Sequence, residues 1–202
     1  MANIAMQRLQ REFKEVVTSQ EIMETGICLA VGSDASNLFK LEGSIKGPPD
    51  TCYAGGNYLL DVTIPDNYPF QPPVVKFVTR IWHPNVSSQT GTICLDILKD
   101  QWAASMTLRT VLLSIQALLC SPEPKDPQDA VVAKQQLNNP QLFQATARFW
   151  AQTYAGAPGD RDADFEKRLK QIQDFGVSSE RALSALSCCG WDTDKTTEDL
   201  FS

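Results

Sequence analysis

The chain holds a single histidine, His83, and its six cysteines, at positions 28, 52, 94, 120, 188 and 189, never form a Cys-x-x-Cys pair. A structural zinc site needs several Cys or His ligands, usually supplied as closely spaced pairs. With one imidazole and only Cys188 and Cys189 adjacent, a metal site is not expected, and the thiols read as free groups of a reducing compartment. No apolar run approaches the ~18 residues that a membrane-spanning helix requires, so no membrane partner is expected. Basic charge is also short: 18 Lys and Arg face 24 Asp and Glu, for a net charge of −6. Binding nucleic acid through its phosphates needs the opposite balance, so no nucleic-acid partner is expected. The opening residues MANIAMQRLQREFKEVV carry recurrent charge and no apolar h-region, unlike a secretory signal. Together these shortages predict an intracellular protein.

What is present is enough apolar residue, 43%, to bury a real core. Met6, Leu9, Phe13 and Val17 recur at helical spacing, and Arg8, Arg11 and Lys14 form a basic stripe on another face. That stripe reads either as a solvated face or as a docking surface for an acidic partner. Four strand-like runs follow, at 27–31, 38–45, 58–64 and 74–78. The connections KGPPDTCYAGG and PDNYPFQPP are too short for parallel crossovers, so an antiparallel meander is expected. After Trp102 the period changes to helical. Thr107 reads as the N-cap of a buried helix carrying Leu108, Val111, Leu112, Ile115 and Leu119. SPEPKDPQDA opens a short helix, and Asn139-Pro140 starts another with Phe143, Ala147, Trp150 and Tyr154 on one side. The fold class is therefore α+β.

Residues 155–160, AGAPGD, read as a linker between a region spanning 1–154 and an all-α unit of three helices over 161–202. In that unit Phe165, Leu169 and Ile172 make a stripe that Phe175-Gly176-Val177 ends. Ser178 or Ser179 caps the second helix, and Asp192 the third. A unit this short is near the lower limit for independent folding.

Cys94 lies in GTICLDIL, between the strands and the long helix, eleven residues after His83. A thiol and an imidazole this close raise the possibility of a nucleophile with its base, as in a cysteine hydrolase. His83 is followed by Pro84, however, and a histidine beside a stiff turn more often bonds backbone than moves protons. A nucleophile needs no base if it receives an acyl group already activated. An ordinary thiol of pKa about 8.5 is a few per cent ionised near neutrality, which suffices for such an exchange.

His83-Pro84-Asn85, Gly91, Ile93-Cys94-Leu95-Asp96 and Gln101-Trp102 resemble the active-site signature of ubiquitin-conjugating enzymes, and Tyr68-Pro69-Phe70 with Pro72-Pro73 resembles that family's preceding turn. The GPPDTCYAGG loop and the order of elements match as well, over roughly residues 3–154. The resemblance implies the family's fold, with an N-terminal helix, a four-stranded antiparallel meander and C-terminal helices. It also implies a transferase. Cys94 would accept ubiquitin from the activating enzyme as a thioester and pass it to a lysine of ubiquitin or a substrate, building degradation-directing polyubiquitin chains. No cofactor is implied on the chain itself, since ATP is consumed by the upstream activating enzyme. Asn85 would stabilise the oxyanion or hold the loop that does so, two alternatives that stay open at this level. Asp126, in the KDP position of the family's acidic gate, would orient the amine and accept its proton, or else cap the following helix. His83 and Pro84 would be structural. Arg8, Arg11 and Lys14 match the face for the activating enzyme. Phe70 and Ala104 match the contacts for ubiquitin ligases of RING type, although many relatives carry proline in place of Ala104.

The last three helices resemble a ubiquitin-associated (UBA) domain, a combination similar to the family's 25-kilodalton type. The resemblance implies ubiquitin contacts at Phe175, Gly176, Val177 and Leu200. The tail departs from the usual pattern by carrying Phe175-Gly176-Val177 for Met-Gly-Phe or Met-Gly-Tyr, and Thr196 for a small apolar residue. Two further readings stand beside the transferase. One is a catalytically inactive ubiquitin-binding adaptor on the same fold, and the other is a conjugating enzyme for a related ubiquitin-like modifier.

Overall fold

The computed structural model describes residues 2–34 and 37–202. Helix α1 spans Ala2–Thr18, and Ser19 caps a short α2 at Gln20–Glu24 that the spacing of apolar residues did not announce. Four strands follow: β1 (Ile27–Val31), β2 (Lys40–Lys46), β3 (Asn57–Thr63) and β4 (Val74–Phe77). They pair in sequence order, each antiparallel to the next, as expected from the short connections. Burial alternates along every strand, so one face of the sheet is solvated and the other packs on helices. The packed face presents Leu29, Leu41, Ile45, Leu60, Val62 and Phe77.

Helix α3 (Leu108–Cys120) lies across that face. Thr107 caps it by accepting from the Thr110 N–H, and the expected Leu108, Val111, Leu112, Ile115 and Leu119 are buried. Gly43 makes the approach possible, because a Cβ there would meet Leu112 at 3.2 Å. Asp129 caps α4 (Ala130–Asn138), and Asn139 caps α5 (Pro140–Tyr154). The chain ends in α6 (Ala163–Gln173), α7 (Ser179–Cys188) and α8 (Thr193–Phe201), capped by Asp162, Ser178 and Asp192.

These last helices pack directly on the rest. Trp191 stacks on Phe165 at 3.6 Å, meets Phe149 edge-on, and donates from its indole to the Thr146 hydroxyl at 2.9 Å. Trp150 donates to the Ser187 hydroxyl at 2.9 Å, and Arg80 pairs with Glu180 at 2.6 Å. Helix α5 is therefore buried on more than the one side its apolar spacing suggested: Thr146 and Phe149 are covered by the tail. The segment read as a linker is pinned. Ala155 and Ala157 are buried, Asn57 donates to the Ala155 carbonyl, Arg148 to that of Pro158, and Gln152 to those of Gly159 and Asp160.

Candidate active site

Beyond β4 the chain folds back through residues 79–95 as a loop held by isolated bridges from Val86 to Ile93 and from Lys76 to Thr92. Gly91 is the hinge of this return. Its φ is 72°, and a Cβ would stand 2.0 Å from the Phe77 carbonyl oxygen, so any side chain would break the contact. At the end of the return the Cys94 N–H donates to the Asn85 carbonyl at 2.8 Å, which places the thiol beside the His83-Pro84-Asn85 turn.

Each member of that turn is engaged in holding it. His83 is fully buried. Its Nδ1 accepts from the Asn85 N–H at 3.0 Å, which leaves Nε2 to donate to the Leu118 carbonyl at 3.1 Å. Burial pushes the imidazole down to about 4, only partly opposed by the Leu118 carbonyl. A neutral ring with both nitrogens occupied is a brace and has no lone pair left for the Cys94 thiol. The Pro84 carbonyl accepts from the Gln128 and Asp129 N–H groups at 2.8 and 2.9 Å. Asn85 is 2% exposed: its Nδ2 donates to the Glu123 and Asp126 carbonyls, both at 3.0 Å, and its Oδ1 accepts from the Glu123 N–H at 2.8 Å.

The result is a cleft of about 580 Å³ lined by Asn85, Cys94, Leu95, Lys99, Glu123 and Asp126, among others. Cys94 is half-buried on one wall and Asp126 is exposed on another. The Asp126 carboxylate has no hydrogen-bond partner among the described residues, and the helix cap it was weighed against belongs to Asp129. Asp129 accepts from the Val132 N–H with one oxygen and from the Ser88 N–H and hydroxyl with the other. Two residues with a place here were not singled out as site residues from the sequence. Lys99 directs its ammonium to the Cys94 sulfur at 3.6 Å, and Asp129 ties the helix start to the turn. The five-residue spacing across the short 3-10 turn Asp96–Leu98 was the available signal for Lys99.

The outer contacts divide. Arg11 and Lys14 are exposed on α1, but Arg8 is not a free docking charge: it donates to the Ala104 and Met106 carbonyls at 2.7 Å and pairs with the buried Glu12. Phe70 is 72% exposed, and Ala104 is half-buried at the carbonyl that Arg8 holds. In the tail, Phe175 is 60% exposed and Gly176 has φ 83°, whereas Val177 and Leu200 pack partly against the core. Phe201, at the end of α8, is the exposed partner of Phe175, their rings 5.9 Å apart. Thr196 is fully buried without penalty, because its hydroxyl donates to the Asp192 carbonyl.

A cleft with a half-exposed thiol, an available carboxylate and no available imidazole suits acyl transfer from an activated donor better than hydrolysis. Comparison with known proteins agrees. Residues 8–151 match the family described as ubiquitin-conjugating enzyme. Ubiquitin-conjugating enzyme E2 K of Homo sapiens is 54% identical over 202 residues, covering 100% of both chains. Ubiquitin-conjugating enzyme E2-22 kDa of Drosophila melanogaster is 52% identical, again over 100% of both. Among solved structures, the E2 domain of a ubiquitin conjugating enzyme from Toxoplasma gondii aligns with a TM-score of 0.68 at 47% identity, covering 74% of this chain and 98% of that one.

Proposed function

The chain belongs to the ubiquitin-conjugating enzyme family, and on that premise we propose that Cys94 carries ubiquitin as a thioester and delivers it to a lysine amine. The observation that carries this is the cleft itself, where the Cys94 thiol and the unengaged Asp126 carboxylate share one space. In the first step the Cys94 thiolate attacks the carbonyl carbon of the activating enzyme's ubiquitin thioester, and that enzyme's thiolate leaves. One C–S bond replaces another, so no strong base is required. In the second step a lysine amine attacks the Cys94 thioester, and the Cys94 thiolate leaves as the amide forms.

The second step is the harder one, because free lysine has a pKa of about 10.4 and arrives protonated. Desolvation in the cleft favours the neutral amine. A neighbouring carboxylate favours the ammonium, so Asp126 is assigned orientation of the amine and acceptance of its proton as the N–C bond forms. Asn85 is assigned the loop: with both Nδ2 hydrogens given to the Glu123 and Asp126 carbonyls, it sets the wall from which Asp126 works.

The partners follow from the family: ubiquitin, the activating enzyme, and ligases, for which the exposed Phe70 favours the RING class. Arg11 and Lys14 are the charges available to the activating enzyme. We assign the product as degradation-directing polyubiquitin chains. The tail, read as UBA-like over 161–202, would contact ubiquitin through Phe175, an aromatic surface that Phe201 extends. ATP acts only upstream, and the free thiols suit a reducing cytoplasmic or nuclear setting.

The test is a charging reaction with activating enzyme, ATP and ubiquitin, resolved on a non-reducing gel. A thiol-sensitive adduct should form, persist in Cys120→Ser and be absent in Cys94→Ala. An unchanged adduct in Cys94→Ala would sink the assignment. Supplying a ubiquitin-like modifier and its own activating enzyme in parallel separates the two possible cargoes.

A further inference from the structure

Glu12 lies on the inward face of α1 and is 1% exposed. A buried carboxylate is costly unless it is paired and hydrogen-bonded, and here it is both. Its Oε1 accepts from Arg8 Nε at 2.5 Å, and its Oε2 accepts from the Tyr68 hydroxyl at 2.7 Å and from the Leu108 N–H at 2.8 Å. Leu108 is the first residue of α3, so the carboxylate also sits at a helix N-terminus, where negative charge is favoured. Burial, with Glu12 adding to it, raises the Tyr68 phenol far above its ordinary range, so it remains a donor.

The clamp extends outward. The two terminal nitrogens of Arg8 donate to the Ala104 and Met106 carbonyls, both at 2.7 Å. Tyr68 leads into Pro69, whose carbonyl accepts from the Trp102 indole at 2.8 Å, and then into Phe70, 72% exposed. One carboxylate thus joins three segments remote in sequence: α1, the Tyr68–Phe70 turn and the loop over residues 103–106. We propose that Glu12, acting through Arg8 and Tyr68, is a positioning residue for the ligase-facing surface, holding Phe70 and the 103–106 loop in the arrangement that a ligase reads. An exposed aromatic anchor binds well only where its surroundings are ordered beforehand, and this clamp orders them. The proposal rests on the reading of Phe70 as a ligase contact.

The test charges the full-length chain with ubiquitin and follows discharge to free lysine while titrating the RING domain of a ligase that stimulates the wild type. Glu12→Gln keeps the shape but cannot accept from all three donors. It should leave ligase-free discharge within about twofold and the maximal stimulated rate unchanged, while raising the half-saturating RING concentration about tenfold. Arg8→Lys, which keeps a cation beside Glu12 but cannot also hold both the Ala104 and Met106 carbonyls, should raise it about threefold, and it decides the matter if Glu12→Gln fails to fold. Phe70→Ala is the control. If Phe70→Ala weakens saturation and neither clamp variant does, the positioning role is overturned and the contact stands. If Phe70→Ala has no effect, the contact reading fails and takes the proposal with it. An equal loss of ligase-free and ligase-stimulated rates in the clamp variants would also overturn it, because damage to the whole fold lowers both.

Discussion

Asn85 grips Glu123 at both of its peptide groups, accepting from the Glu123 N–H at 2.8 Å and donating to the Glu123 carbonyl at 3.0 Å. The remaining Nδ2 hydrogen goes to the Asp126 carbonyl. The amide thus spends its donors inside the protein, and the wall of the cleft is built on it.

Replacing Asn85 by Asp should therefore separate loading from delivery. A carboxylate would face two carbonyl oxygens with no hydrogen to give, and leaving such buried groups unmatched costs about 1–3 kcal/mol each. Charging of Cys94 should persist, discharge to lysine should slow about ten- to hundredfold, and hydrogen exchange over residues 123–128 should accelerate. Unaltered exchange with slowed discharge would instead favour direct action of Asn85 on the oxyanion.

His83 makes a prediction in pH. The folded protein resists protonating it until about pH 4, whereas the unfolded chain takes the proton near its ordinary value of 6.5. The unfolded state binds more protons between these limits, so stability rises with pH across the window. It is fully present above about 6.5 and lost towards 4, an effect of about 3 kcal/mol. Urea unfolding at pH 7.5 and pH 5 should show the slope in the wild type and a smaller one in His83→Gln. The discharge rate of the wild type should show no titration near 6.5 that the variant lacks.

The basic residues of α1 should behave as two classes. Reversing the exposed pair, Arg11→Glu with Lys14→Glu, should raise the concentration needed for half-maximal charging about tenfold without moving the melting temperature. Arg8→Ala should instead destabilise the fold by about 2–3 kcal/mol, because it leaves Glu12 buried without its cation. Melting curves beside charging kinetics distinguish them.

Trp191 is the keystone of the tail's docking. Trp191→Ala removes the stack on Phe165, the edge contact with Phe149 and the hydrogen bond to Thr146. A loss of about 3–5 kcal/mol is expected, with proteolytic cleavage appearing within residues 155–160. Retained resistance in this segment would show that Arg148 and Gln152 suffice to pin it.

Phe175→Ala should leave stability within about 0.5 kcal/mol, since the ring is exposed. If the tail contacts ubiquitin as proposed, the variant should weaken the chemical-shift changes that ubiquitin induces in α6–α8 of the full chain. Undiminished changes would remove Phe175 from the contact.

Period and punctuation account for what could be read in one dimension. Alternation in the strands, helical spacing in α1, α3 and α5, and the caps Thr107, Asn139 and Asp192 are local signals, and the structure carries each of them. The cysteine, the His-Pro-Asn turn and the KDP segment were legible only through their resemblance to a family signature, since position alone does not separate Cys94 from a buried thiol. Chain order alone thus determined an α+β meander with a thiol loop and a helical tail.

Tertiary structure decided what those groups touch, because hydrogen-bond capacity is spent only where segments meet. The sequence leaves Asn85 either an oxyanion or a loop to act on, and the fold gives its amide hydrogens to Glu123 and Asp126, some forty residues on. Arg8 belonged to a basic stripe until the loop over 103–106 presented its carbonyls. Glu12 was an unremarked acid on an amphipathic helix, and no local pattern distinguishes a solvated carboxylate from one met by Tyr68 and Leu108. The tail's attachment was equally silent, since Gly-Pro punctuation reports where a helix stops and says nothing about what the stopped chain rests against.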